Sequence, residues 1–212
     1  MKVIAVLNQK GGVGKTTLSI NLARALQQAE YKVVLCDGDP QGSARDWNDA
    51  NNGELVPVVG MDRKSLPADI KNISGYDIAV IDGAPQTKEL TIAAIKAADI
   101  VLIPVQPSPF DIWATNDLIE LVKERQEISN GLPKAAFIVS RQIQNTTVGQ
   151  EVRGVLADAG IKVFKAGTFQ RIAYSDLAAS GKTVFESNDT KAKDEIINIA
   201  NELWEFINGA PS

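Results

Sequence analysis

The sequence predicts an α/β fold in which one doubly wound, mostly parallel sheet is flanked by helices. Two patterns predict it. Short, nearly unbroken apolar runs alternate along the chain with segments whose apolar residues recur at helical spacing. Strands that are apolar throughout belong in sheets covered on both faces. A third observation places the business end: a glycine-rich turn joins the first apolar run to the first helical segment, and open α/β sheets bind ligands beyond the carboxyl ends of their strands.

In order, Lys2–Asn8 reads as a buried strand, and Thr16–Ala29 as a helix through Leu18, Leu22, Ala25 and Leu26. Lys32–Cys36 is the second strand. Further strands are expected at Ile78–Ile81, Ile100–Pro104, Ala135–Val139 and Val163–Phe164. Helices are expected at Leu90–Ala98, Ile112–Glu127, Gly149–Ala159, Tyr174–Ala179 and Asp194–Ile207. Asn48–Gly75 is too irregular to assign. No repeat, low-complexity run or linker interrupts the 212 residues, so residues 1–212 read as one domain.

Composition removes several function classes. With 44% hydrophobic and 23% charged residues the chain can bury a substantial core and is not a disordered polymer. No apolar stretch is long enough to span a bilayer, and Val3–Leu7 is too short for a signal peptide, so a cytoplasmic location is expected. There is no histidine, which excludes imidazole bases, imidazole metal ligands and Ser-His-Asp catalysis. One cysteine, Cys36, excludes a disulfide framework. The net charge of −4 argues against wholesale attraction to nucleic acid, although a local basic patch is compatible with it.

The strongest motif is Lys10-Gly11-Gly12-Val13-Gly14-Lys15-Thr16-Thr17, between the first strand and the first helix. Glycines let backbone N–H groups turn inward around phosphate oxygens, and the helix N-terminus behind them adds partial positive charge. Lys15 supplies a point charge for β- and γ-phosphates, the Thr16 hydroxyl suits Mg²⁺, and Thr17 suits the α-phosphate. ATP with Mg²⁺ is therefore the expected ligand. The ordinary pattern has glycine where this chain has Gln9, so the loop is a variant.

That variant resembles the deviant Walker A motif of the ParA/MinD ATPases, and the chain as a whole is most similar to the small ParF-type ParA proteins. The resemblance implies a P-loop NTPase fold, in which Lys10 is the family's signature lysine, reaching across a nucleotide-sandwich dimer to the partner's phosphates. Its logic is that of an arginine finger supplied in trans. Cys36-Asp37-Gly38-Asp39-Pro40-Gln41 resembles the family's Asp-x-Asp-Pro-Gln motif. Asp39 is then expected to orient the attacking water, and Asp37 to act near the metal through its water shell. Gly38 departs from the bulkier residue expected there and is expected to loosen packing. The run Tyr76–Asp82 looks like Walker B, with Asp82 holding Mg²⁺ through water beside Thr16 and Gly83–Thr87 as a switch loop. Asp77 reads as a strand-start or turn residue. Pro104–Asp111 resembles the family's Pro-rich stretch; Asp111 either caps the helix from Ile112 or contacts the dimer partner. Arg141 is expected to stack on adenine, and Phe169-Gln170-Arg171 to lie near nucleotide and dimer interface.

The resemblance implies a slow, partner-stimulated ATPase. ATP closes a homodimer, the dimer coats nucleoid DNA without sequence preference, and a cargo-bound ParB-like or adaptor protein triggers hydrolysis. The cargo is a plasmid, a chromosome region or a protein compartment such as a carboxysome; the chain does not decide among them. Lys165, Arg171, Lys182, Lys191 and Lys193 are the expected DNA contacts. No DNA-reading arm precedes Met1, so operator binding is not expected. The rival is a MinD-type membrane-cycling ATPase. It needs a basic amphipathic tail, whereas Ile196–Ile207 carries Glu202 and Glu205 and no Lys or Arg, and is expected to cover the core. An iron-protein relative would need two cysteines per subunit, and a small-molecule kinase would need an acceptor site that the sequence does not show.

Overall fold

The computed structural model describes residues 1–144 and 148–209, the side chains of 148–150 excepted. Among the described residues, seven strands form one sheet: β1 (Lys2–Val6), β2 (Val33–Asp37), β3 (Val58–Gly60), β4 (Ile78–Asp82), β5 (Ile100–Val105), β6 (Lys134–Gln142) and β7 (Lys162–Phe169). Their order is β3-β2-β4-β1-β5-β6-β7, and every neighbouring pair is parallel. The register places Asp37 opposite Asp82 and Val6 opposite Asp82, so the ends of β1, β2 and β4 lie level.

Among the described residues, nine helices accompany the sheet: α1 (Lys15–Gln28), α2 (Ser43–Ala50), α3 (Leu66–Asp69), α4 (Lys88–Ala97), α5 (Pro109–Trp113), α6 (Asn116–Ile128), α7 (Val148–Ala157), α8 (Ile172–Ala179) and α9 (Thr190–Asn208). Single 3₁₀ turns occupy Ile70–Asn72 and Val184–Glu186. Because strand side chains alternate faces, each central strand feeds two cores. Val3, Ala5, Val34, Cys36, Ala79, Ile81, Phe137 and Val139 pack under α4, α6 and α7. Ile4, Val6, Val33, Leu35, Ile78, Val80, Ala136 and Ile138 pack under α1, α2 and α9.

The structure redraws some expected elements. The segment from Asn48 to Gly75 contains the end of α2, β3 and α3, too short or too exposed to leave a periodic signal. The helix expected over Ile112–Glu127 is two: it starts at Pro109, stops, and restarts at Asn116. At the break the Thr115 hydroxyl bonds the Ile112 carbonyl at 2.6 Å and competes with the helical ladder. α9 begins at Thr190, before the expected Asp194, because Asp189 accepts from the Ala192 N–H as its N-cap. Gly38 does not loosen packing: a Cβ there would stand 2.9 Å from the Asp82 carbonyl oxygen.

Candidate functional site

The site lies at the carboxyl ends of β1, β2, β4 and β6. The turn from β1 into α1 leaves Gly12 at φ 77° and Gly14 at φ 90°, values that L side chains rarely adopt. A Cβ added at Gly11, Gly12 or Gly14 would meet nothing within 4 Å, so the loop walls an open cradle. α1 begins at Lys15 with no side-chain cap and no acidic residue in its first turn. Its first N–H groups and the positive end of its dipole thus face the cradle without a protein acceptor, which suits an anion.

Lys15 curls back over the loop and donates from Nζ to the Lys10 carbonyl at 2.9 Å. Burial lowers its pKa, while the charges of Asp82 and Asp39 act in the opposite direction. Three side chains brace the loop from behind. Ser140 Oγ donates to the Val13 carbonyl, and Arg141 Nη1 and Gln106 Nε2 both donate to the Gly12 carbonyl, each at 2.9 Å.

Asp82 ends β4 and is fully buried. Ser19 Oγ donates to its Oδ1 at 3.0 Å, and Oδ2 has no hydrogen-bond partner. Burial pushes this carboxyl up to about 7; the Thr16 and Ser19 hydroxyls pull it down, Asp37 adds to the rise and Lys15 opposes it. An unpartnered buried carboxylate oxygen next to Thr16 is what a hydrated divalent cation fits. Among the described residues no three His, Cys, Asp or Glu gather to hold a metal alone. The residues present therefore fit a divalent cation that Thr16 and Asp82 would help to hold.

The two carboxylates at the end of β2 have different surroundings. Asp37 is 0% exposed and its oxygens are committed to protein donors: Oδ1 to the Asp39 N–H at 3.1 Å, Oδ2 to the N–H and Nε of Arg45 at 3.0 and 3.3 Å. This corrects the expectation for Asp37, which holds the loop rather than facing the cleft. Asp39 lines the cleft, its Oδ1 accepting from the Gln41 N–H at 3.0 Å. Arg45 and its partner Asp62 were missed. Arg45 is one cation in the first turn of a short helix and Asp62 lies in the unassigned segment, so only the fold brings them together.

The cleft holds about 540 Å³ and runs from Gly11, Lys15, Thr16 and Asp39 past Arg141 to Phe169, Arg171 and Tyr174. Polar groups of the loop and the apolar side chains of Ile138, Ile172 and Ile196 line it together, a size and mixture that suit a nucleotide. Arg141 lies on its wall at φ 52° and braces the phosphate loop. Lys10 does not line the cleft. Its Nζ pairs at 2.8 Å with Asp111, whose side chain is only 3% exposed. Asp111 does not cap its helix, since Ser108 precedes α5 in the N-cap position.

The expected DNA contacts separate. Arg171 is a correction: 15% exposed, it pairs with Glu195 at 2.6 Å inside the cleft wall, where Glu195 also accepts from Tyr174 Oη and the Phe169 N–H. Lys182 and Lys191 are exposed and Lys193 is half-buried near the start of α9. Lys165 lies elsewhere, in a groove with Lys162, Glu202 and Glu205. The Glu202 carboxylate there accepts the Lys165 and Ala166 N–H groups of edge strand β7 at 2.9 and 2.8 Å.

An uncapped helix behind a glycine cradle, a buried lysine and a buried strand-end aspartate define a phosphate-loop nucleotide-binding protein. The model of the CobQ/CobB/MinD/ParA nucleotide-binding domain matches residues 4–184, and the chain belongs to this family. The chain is 31% identical over 207 residues to the maintenance of carboxysome distribution protein A of Halothiobacillus neapolitanus, covering 94% of this chain and 95% of that one. It is 28% identical over 220 residues to the chromosome-partitioning ATPase Soj of Thermus thermophilus, covering 88% of each. Among solved structures, the ATP complex of a McdA variant from Cyanothece aligns with a TM-score of 0.80 at 18% identity, covering 96% of each chain, and shares the fold.

Proposed function

We propose that this protein is a ParA-type positioning ATPase: ATP and Mg²⁺ close a homodimer, the dimer binds nucleoid DNA without sequence preference, and an adaptor on the cargo stimulates hydrolysis. The observation that carries this reading is the pairing of an open phosphate cradle around Lys15 with a second loop lysine, Lys10, whose side chain is 42% exposed. An ordinary phosphate loop needs one lysine; a second, held at the rim by Asp111, suits a phosphate presented by another subunit. The similarity to carboxysome-distribution and chromosome-partitioning proteins supports cargo positioning and leaves compartment, chromosome and plasmid as the cargo classes.

In this reading the loop N–H groups and Lys15 bind the β- and γ-phosphates, and Thr17 contacts the α-phosphate. Thr16 and Asp82 would hold Mg²⁺, which when bound would neutralise charge on the phosphates. Asp39 orients the attacking water, and the far end of the cleft encloses the base beside Arg141. Lys10 leaves Asp111 when it crosses to the partner's phosphates. The exposed Lys182 and Lys191 and the half-buried Lys193 contact DNA phosphates, and dimerisation doubles that patch, so affinity rises by avidity.

The membrane-cycling alternative gains no support from α9. Its Ile196, Ile199 and Leu203 are fully buried on the sheet, and no described helix is long and apolar enough to cross a membrane. The test is a shift assay on random-sequence duplex with ATP, with ADP and without nucleotide, beside sedimentation with anionic liposomes. DNA binding with ATP alone, weakening sharply with salt, is expected. Equal binding in all three states contradicts the switch, and ATP-dependent liposome binding without a DNA shift favours membrane cycling.

A further inference from the structure

We propose that Arg45 is a positioning residue for hydrolysis, fixing the main chain of Asp39 so that its carboxylate meets the attacking water. The proposal rests on the reading of Asp39 given above. Arg45 Nη2 donates to the Asp39 carbonyl at 2.9 Å and to Asp62 Oδ2 at 3.0 Å. Its Nε and its own N–H donate to Asp37 Oδ2. Asp37 Oδ1 in turn accepts the Asp39 N–H, and the Gly42 N–H shares the Asp39 carbonyl at 2.9 Å. Asp39 is therefore clamped at both its N–H and its carbonyl, while its carboxylate lines the cleft.

Three features show that this place is built for an arginine. A Cβ on Gly42 would stand 3.2 Å from Arg45 Nε, and one on Gly60 would stand 3.1 Å from Nη1. Side chains at either position would crowd the guanidinium. Next, a cation in the first turn of a helix opposes the macrodipole, so Arg45 gains nothing from α2 and is held by the flanking carboxylates. Finally, Asp37 and Asp62 come from different segments and converge on different atoms of one guanidinium. Such a planar fork anchors two carboxylates and a carbonyl together, which an ammonium cannot do.

The clamp matters because catalysis depends on placement: displacing a reacting group by about 1 Å costs on the order of 100-fold in rate. The test is single-turnover hydrolysis at saturating ATP and Mg²⁺ by the full chain, with ATP affinity measured by calorimetry and folding by thermal melts. Arg45→Ala is expected to lower the rate roughly 10- to 100-fold, with ATP affinity near that of the parent. Arg45→Lys, which keeps the charge beside Asp37, is the variant that folds if Arg45→Ala does not, and is expected to fall between the two. Asp39→Ala combined with Arg45→Lys is expected to be no slower than Asp39→Ala alone, because Arg45 acts through Asp39.

Folded Arg45 variants that hydrolyse at the parental rate, beside an inactive Asp39→Ala, overturn the role of Arg45 and leave that of Asp39 standing. A double variant slower than Asp39→Ala by the full Arg45 effect also overturns it, since the arginine then acts elsewhere. Undiminished hydrolysis by Asp39→Ala overturns the Asp39 reading and the proposal with it.

Discussion

Lys15 is 7% exposed and its charge is balanced by acidic groups across the cleft and by the Lys10 carbonyl. In the proposed function a phosphate takes the place of that carbonyl as a charged partner. Truncating one member of a buried charge pair costs about 2–5 kcal/mol. Lys15→Ala is therefore expected to weaken ATP binding by roughly 30-fold to several thousand-fold, read by calorimetry; parental affinity would contradict the phosphate-loop assignment. Cys36 offers a second check at this scale. It is fully buried on β2, and burial pushes its thiol up to about 12. The thiolate is the reactive form, so a disulfide reagent at neutral pH is expected to leave the native protein unmodified and to titrate one thiol in urea. Rapid labelling of the native state would show that the β2 environment is open.

At the scale of elements, α9 has one face on the sheet and one in solvent. Leu203 is fully buried and Ile197 is 42% exposed. Leu203→Ala is expected to cost about 2–5 kcal/mol of stability, and Ile197→Ala about 0.5 kcal/mol or less, both by urea denaturation. Equal losses would mean that the helix is not docked as described. This helix was legible because Ile197, Ala200, Leu203, Trp204 and Ile207 recur at helical spacing, although its buried face runs through Ile196, Ile199 and Leu203, and its acidic tail already argued against lipid. The phosphate loop and the strand-end carboxylates of β2 and β4 carried a different signal: glycine, lysine and aspartate of the type and spacing that a phosphate ligand would fix. The segment containing β3 and Asp62 was not, since a three-residue edge strand shows no period and Asp62 matters only through its contact with Arg45. Arg171 was misplaced because a basic residue in a basic-looking third of the chain carries no sign of its partner, and Glu195 neutralises it from a helix remote in sequence. The Lys10–Asp111 pair was equally hidden, both residues being assigned to loops and helix ends far apart along the chain.

For the whole molecule, the proposed function makes nucleotide, loop and dimer one device. Exposed apolar side chains stand near Lys10: Phe110 and Trp113 of α5 are 71% and 64% exposed and stack edge to face on each other, flanking Asp111. A dimer that draws Lys10 away from Asp111 disturbs this helix first. In the proposed function, binding and hydrolysis are expected to separate in Asp39→Ala, which keeps the cradle and removes the carboxylate assigned to the attacking water. The most direct measurement is light scattering with size-exclusion chromatography on Asp39→Ala, in ATP and Mg²⁺ and again in ADP. The account predicts a species of twice the 22.8 kDa chain mass in ATP and a monomer in ADP. A monomer in both, with ATP bound, would contradict it.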